Sequence, residues 1–249
     1  MPRILLLGGT YEASLAARAL ADAGLEAVFS YAGRTEAPAP QPLPMRVGGF
    51  GGVAGLVDYL QREGMTHVID ATHPFAAQMS RKAYAACAAR GLPLLSLQRA
   101  PWVAGEGDDW KHVDDIGGAV AALPSAPARV FLAIGKQNLA PFAALHQHHF
   151  LLRLVDAPAA RPMPNCSVVI AKGPFDVAGD MALMQEHGIS HIIAKNAGGQ
   201  GASAKLVAAR ALRLPVIMIA RPDAPLRDTV ETTGAMMAWL AHHDALRGV

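Results

Sequence analysis

The feature that most constrains this chain is an alternation. Short, continuous apolar runs recur along it, and most are followed by a stretch with helical periodicity. RILLL (3–7), EAVFSY (26–31), THVIDAT (66–72) and LPLLSL (92–97) read as strands in the first part. VFLAIG (130–135), FLLRLVD (150–156), SVVIAKG (167–173), HIIAKN (191–196) and PVIMIA (215–220) read as strands in the second, and WKHV (110–113) as a short strand before them. A strand apolar at consecutive positions is buried on both faces, the condition of a parallel sheet covered by helices on either side. Helices are expected over 11–23, from VGGFGG (47–52) to near Gly64, over 76–90, after WKHV to Leu123, and over 232–246. The 11–23 helix should bury Leu15, Ala19 and Leu20; the last carries Met236, Met237, Trp239 and Leu240. RTEAPAPQPLPMR (34–46), with prolines at 38, 40, 42 and 44, reads as a loop.

Both halves follow this grammar. The expected fold is α/β, with two doubly wound, mostly parallel open sheets whose strands point their carboxyl ends at a common cleft, where ligands bind in such sheets. Residues 1–98 form the first domain in this reading, 99–109 a linker and 110–249 the second domain.

The chain has 249 residues, 52% of them hydrophobic and 17% charged, which is a globular composition. A formal net charge of only +2 argues against a general nucleic-acid surface. The two cysteines, Cys87 and Cys166, make no close pair, so neither a zinc knuckle nor a disulfide framework is expected, and no metal. The opening apolar run is too short for a signal-peptide core, and no uncharged run reaches membrane-spanning length. The expectation is a cytoplasmic protein without a membrane partner.

Gly8-Gly9-Thr10 joins the first strand to the first helix. Such a turn aims backbone N–H groups and the positive end of the helix dipole at an anion, most often a phosphate. The spaced-glycine fingerprint G-x-G-x-x-G is absent, but its physics survives. Two glycines remove side chains, Thr10 offers a hydroxyl, and Ser14 is small enough for close helix packing. The second strand sharpens the reading. NAD sites commonly place a carboxylate at its end for the ribose hydroxyls. Here the sequence runs Phe29-Ser30-Tyr31-Ala32-Gly33-Arg34, with no acid. Ser30 and Arg34 suit a 2′-phosphate, which favours NADPH over NADH.

Other strand ends carry chemistry too. His73, before Pro74 in DATHPFA (70–76), is placed for a proton transfer or for a hydrogen bond to a cofactor. Gly135-Lys136-Gln137-Asn138 follows a strand and should open a helix, without the P-loop spacing. Lys195-Asn196-Ala197-Gly198-Gly199-Gln200-Gly201 joins a strand to a helix starting near Ala202, and Lys205 lies one turn into it. His146, His148 and His149 have no carboxylate or Cys to complete a metal set and read as loop residues. No G-x-S-x-G motif supports Ser-His-Asp chemistry.

GGTYEA (8–13), DATHPFA (70–76), RAPW (99–102), AIGKQ (133–137), AKGPF (171–175), KNAGG (195–199) and AKLVAARALRLPVIMIARP (204–222) together resemble the precorrin-6A reductase family. Where that family often has Ser, this chain has Ala197. The resemblance implies two Rossmann-like domains and an NADPH-dependent reduction of one ring double bond of precorrin-6A to precorrin-6B, on the route to cobalamin. The cofactor residues then expected are Gly8, Gly9, Thr10, Glu12, Ser30, Gly33, Arg34 and Thr72, with Asn196, Gly198 and Gly199. Arg99, Lys136, Gln137, Arg153, Lys172, Lys205 and Arg221 are expected to hold the carboxylate-rich tetrapyrrole, and His73 and Lys195 to serve catalysis. Neighbouring enzymes of the pathway are expected as hand-over partners. A cobalt-precorrin-6A reductase is the nearest rival. A short-chain epimerase is disfavoured, because Tyr11, Tyr31, Tyr59 and Tyr84 all lack Lys four positions on.

Overall fold

The structure, a computed structural model, describes residues 2–33, 38–173, 175–199 and 201–247, with side chains to 243. It divides into two compact units, Met1–Ala100 with Asp223–Val249, and Pro101–Pro222.

The first unit begins β1 (Arg3–Leu7), α1 (Tyr11–Asp22), β2 (Glu26–Tyr31), β3 (Met45–Val47) and α2 (Gly52–Arg62). It continues through β4 (His67–Asp70), α3 (Ala77–Arg90) and β5 (Leu94–Leu97). The second unit holds β6 (Trp110–Val113), α4 (Ile116–Ala121), β7 (Arg129–Ala133), β8 (His149–Leu154), β9 (Cys166–Ile170), α5 (Val177–Glu186), β10 (His191–Lys195), α6 (Ala204–Ala211) and β11 (Val216–Ile219). The chain then returns to the first unit for β12 (Asp228–Val230) and α7 (Thr233–Arg247).

Both sheets have six strands, all paired in parallel. Their orders are β3-β2-β1-β4-β5-β12 and β9-β8-β7-β10-β11-β6. Each is the doubly wound order in which strand succession reverses beside the first strand, β1 or β7. The sixth position is exchanged: β6 follows β5 in sequence but completes the second sheet, and β12 follows β11 but completes the first. This corrects the expected boundaries. Residues 223–249 belong to the first unit, because β12 pairs with β5 and α7 packs on α1.

The β1 run shows why the strands read as continuous. Ile4 and Leu6 join one core with Ala13, Ala16, Ala17 and Leu20 of α1 and Met236 and Leu240 of α7. Leu5 and Leu7, pointing the other way, join Leu56 and Leu60 of α2 and Ala83, Ala86 and Cys87 of α3. Each fully buried Leu, Ile or Met among them stabilises the fold by about 1.5–3 kcal/mol. The α1 face is the alanine one: Leu15 and Ala19 are only half-buried, since small residues let the helix lie close on the sheet. In the second unit, α5 and α6 cover one face, with Phe131, Leu151, Ile192 and Met218 beneath them.

Two expectations about local structure change. The proline-rich stretch ends in β3, an edge strand entered from Pro44, whose carbonyl accepts from Phe29 N–H at 2.8 Å. After Gly135 there is no α-helix but two 3₁₀ turns, Lys136–Asn138 and Ala140–Phe142, because Pro141 lacks the N–H that a continuing helix needs.

Candidate active site

In the first unit the strand order reverses between β2 and β4, on either side of β1, so the ends of β1 and β4 form the crevice of that sheet. Gly8 is buried and prolongs the ladder, its N–H donating to Ser30 O at 2.9 Å. A Cβ there would lie 2.1 Å from Phe29 Cζ, so only glycine fits over that ring. Gly9 has φ +119°, and a Cβ would meet nothing within 4 Å. Gly9 therefore faces open space at the start of α1, where the first-turn N–H groups of Tyr11 and Glu12 lie beyond any intrahelical acceptor.

The Thr10 hydroxyl has a structural task. It caps α1 by accepting from Ala13 N–H at 3.1 Å and donates to Ala71 O at 2.8 Å, tying α1 to the end of β4. Glu12, in the first turn, is ion-paired with Arg99 just beyond β5. The expected cofactor residue and the expected substrate residue thus neutralise each other beside the turn. At the end of β4, Thr72 donates its N–H and its hydroxyl to Asp70 Oδ1, at 3.2 and 2.6 Å. His73 is exposed, and its Nδ1 accepts from Phe75 N–H at 3.2 Å, which leaves the ring proton on Nε2. Asp70 itself is sealed from solvent and also accepts from Ser80 Oγ at 2.6 Å and Arg227 Nη2 at 3.2 Å.

At the end of β2, Ser30 is buried and accepts from Arg46 Nη1 at 2.8 Å. Gly33, at φ +75°, packs against Gly48: a Cβ would lie 3.4 Å from Gly48 Cα. Arg34 lies outside the described residues. Arg46 carries no sequence signal of its own, because it sits in a stretch that reads as a loop and nothing local shows that β3 places it beside Ser30.

In the second unit the corresponding crevice lies at the ends of β7 and β10. Lys136 and Gln137 are exposed there beyond Gly135, and Lys172 is exposed beyond β9. Lys195 ends β10 half-buried. Gly198 and Gly199 adopt φ +70° and +73°. Asn196 is occupied by the chain itself. Its Oδ1 accepts from Trp102 N–H at 2.7 Å and its Nδ2 donates to Trp102 O at 2.9 Å. Trp102 Nε1 in turn donates to Gly199 O at 2.7 Å. Residues 101–109 are therefore a strap of the second unit rather than a loose linker, and a further ion pair from Arg210 to Asp108 fastens it.

Three of the expected substrate cations also have internal work. Arg153 is ion-paired with buried Asp180 and stacks 3.6 Å above the Phe175 ring. Lys205, itself buried, donates to Ala202 O and lies 4.9 Å from the Trp102 ring centre. Arg221 donates to Asn196 O and Ala197 O at 3.0 and 3.1 Å, shaping the glycine turn from below. No group of three or more His, Cys, Asp or Glu that could hold a metal ion occurs among the described residues. Among them, too, no helix is long and apolar enough to cross a membrane.

Two parallel six-stranded sheets with glycine turns at their reversal points define a two-unit, Rossmann-like α/β protein. The profile of the family "Precorrin-6x reductase CbiJ/CobK" matches residues 3–241, and the chain belongs to that family. It is 64% identical over 251 residues to the precorrin-6A reductase of Rhodobacter capsulatus, covering 100% of both chains. It is 44% identical over 242 residues to that of Rhodococcus erythropolis, covering 96% of this chain and 98% of the other. A solved structure titled CobK precorrin-6A reductase superposes with a TM-score of 0.94 at 64% identity, covering 98% of this chain and 97% of that one.

Proposed function

We propose that this chain reduces one ring double bond of precorrin-6A, giving precorrin-6B, with NADPH as reductant. The observation that carries the reading is the full-length likeness to a precorrin-6A reductase. The relatives named are precorrin-6A reductases, not cobalt-precorrin-6A reductases, which favours the metal-free substrate over its cobalt-loaded counterpart.

The first unit fits a dinucleotide. Gly9 offers open space and a left-handed turn, α1 presents its N-terminus, and no carboxylate stands at the end of β2. Gly8, Gly9 and the first turn of α1 would hold the pyrophosphate, Ser30 and Gly33 the adenosine side, and Thr72 the β4 flank. NADPH supplies the hydride when bound. Glu12 does not repel the pyrophosphate in this reading, because Arg99 neutralises it. His73, whose Nδ1 accepts from Phe75 N–H, would donate a hydrogen bond there through Nε2. Lys136, Gln137 and Lys172 bind substrate carboxylates, and Gly198 and Gly199 admit close backbone approach. Lys195 is the candidate for delivering the proton that follows the hydride. A cytoplasmic setting belongs to the same proposal, with Cys87 and Cys166 as buried free thiols.

The test is spectroscopic. Protein, NADPH and precorrin-6A are mixed and the nicotinamide absorbance is followed, with NADH and cobalt-loaded substrate as parallel arms. Oxidation that requires both NADPH and the metal-free tetrapyrrole is expected. No oxidation with either tetrapyrrole overturns the proposal, and oxidation with the cobalt-loaded one alone reassigns the substrate.

A further inference from the structure

We infer that Arg46 reads the 2′-phosphate of NADPH and sets the preference for NADPH over NADH; the inference rests on the cofactor site proposed above. Parallel pairing places Arg46 directly beside Ser30, with Phe29 opposite Met45 and Tyr31 opposite Val47. Paired residues of a parallel ladder project from the same face, so the guanidinium and the Ser30 hydroxyl share one side of the sheet.

The guanidinium is held in one orientation. Nη1 donates to Ser30 Oγ at 2.8 Å and to Gly48 O at 3.0 Å, and Nη2 donates to Gly49 O at 3.0 Å. Its carbon stands 3.8 Å above the Phe50 ring centre and 5.2 Å from that of Tyr59. These partners are neutral: among the described residues no carboxylate pairs with it within ion-pair distance. Arg99, Arg153 and Arg227 each meet a carboxylate, so Arg46 is unlike them.

Among the described residues, three of its five N–H bonds are thus used, leaving Nε–H and the second Nη2 proton. Those two lie on one edge of the planar group and form the fork that grips two oxygens of a phosphate. Ser30 accepts from Arg46, so its own proton remains for a third oxygen. The left-handed turns at Gly33 and Gly48 bring the two strand ends together around this point. A dianionic phosphomonoester is the chemistry that this arrangement recognises, and NADPH differs from NADH by that group alone.

The test is binding without turnover. Dissociation constants for NADPH and NADH are measured by nicotinamide fluorescence on wild type, Arg46→Ala and Arg46→Gln, with thermal melts as the folding control. Adenosine 2′,5′-bisphosphate and ADP serve as competing probes. Wild type is expected to prefer NADPH, and Arg46→Ala to weaken NADPH by about 10- to 150-fold, the loss of one or two charge-assisted hydrogen bonds, with NADH moved less than about twofold. If wild type prefers NADPH and Arg46→Ala keeps that preference, Arg46 is not the reader, while the cofactor site stands. Equal weakening of both cofactors also overturns the inference, since Arg46 would then only shape the Gly48–Gly49 turn. A wild type that binds both cofactors alike overturns the NADPH reading itself. Where Arg46→Ala fails to fold, Arg46→Gln decides by the same criteria.

Discussion

Arg227 reaches Asp70 across the edge of the first sheet, Nη2 to Oδ2 at 3.2 Å, and both side chains are buried. The same nitrogen donates to Ser96 Oγ at 3.2 Å. Arg227 directly precedes β12, Asp70 ends β4 and Ser96 lies on β5, so one guanidinium fastens the returning segment to the two strands beside it. Asp70 meanwhile positions Thr72 and Ser80, at the start of the loop that carries His73 and on the helix that follows it.

Replacing Arg227 by Met should destabilise the protein by about 3–5 kcal/mol, because it strands a carboxylate in the interior. Chemical denaturation measures it. Arg227→Met combined with Asp70→Asn should recover a large part of that loss, since no unpaired charge is then left. A double variant no better than the single one would mean that the hydrogen bonds, and not the charge, dominate this network.

Gly8→Ala should be disruptive although alanine is small. Its methyl would sit 2.1 Å from Cζ of Phe29, itself fully buried, and overpacking a core of this kind costs about 1–3 kcal/mol or more. The melting temperature should fall and dinucleotide binding should weaken. Adding Phe29→Leu should restore part of both, which a purely conformational defect at Gly8 would not allow.

How far these features could be read from sequence depends on whether their cause is local. β1 was legible because burial on two faces writes itself as an unbroken apolar run. β3 was not: it is three residues long, at an edge, and follows a run of prolines. β12 is Asp-Thr-Val and largely exposed, so it carries no apolar signature. The exchange of β6 and β12 left no local trace, because nothing in WKHV or DTV specifies which sheet each completes. At the site, Gly8 and Gly9 announced the turn. The surroundings of the cations depend on distant acids: Arg99 and Arg153 read as ligand groups from sequence, and only the fold shows that Glu12 and Asp180 stand against them.

Acid should weaken the second unit through its histidines. Burial lowers the pKa of His148, His149 and His191 below the ordinary value of 6.5; neighbouring Arg129 adds to the effect at His149, and His148 at His191. The neutral ring of His148 accepts from Ala128 N–H through Nδ1 at 3.1 Å, a bond that protonation at that nitrogen removes. A lowered folded-state pKa means stability that is complete above about pH 6.5 and is lost as pH falls through the folded value. Melting temperature against pH should therefore decline below that point, and His148→Gln should decline less steeply, although it starts lower.

Alkali should act on the first unit through Cys87. The thiol lies in the α2–α3 core, and burial, assisted by the nearby negative charge of Asp70, pushes its pKa from 9.0 to about 12. The folded protein therefore keeps a proton that the unfolded chain releases. Stability tied to this group is complete below pH 9.0, and it drains away as pH rises towards about 12. Two measurements check this. The native thiol should resist a thiolate-directed disulfide reagent at neutral pH and react at the ordinary rate once unfolded, since thiolate is the reactive form. Cys87→Ala should flatten the alkaline limb of the stability profile while leaving its neutral plateau lower, the small cavity being independent of pH. Fast labelling of the native protein at neutral pH would show that the thiol is open to solvent and would remove the basis for the alkaline effect.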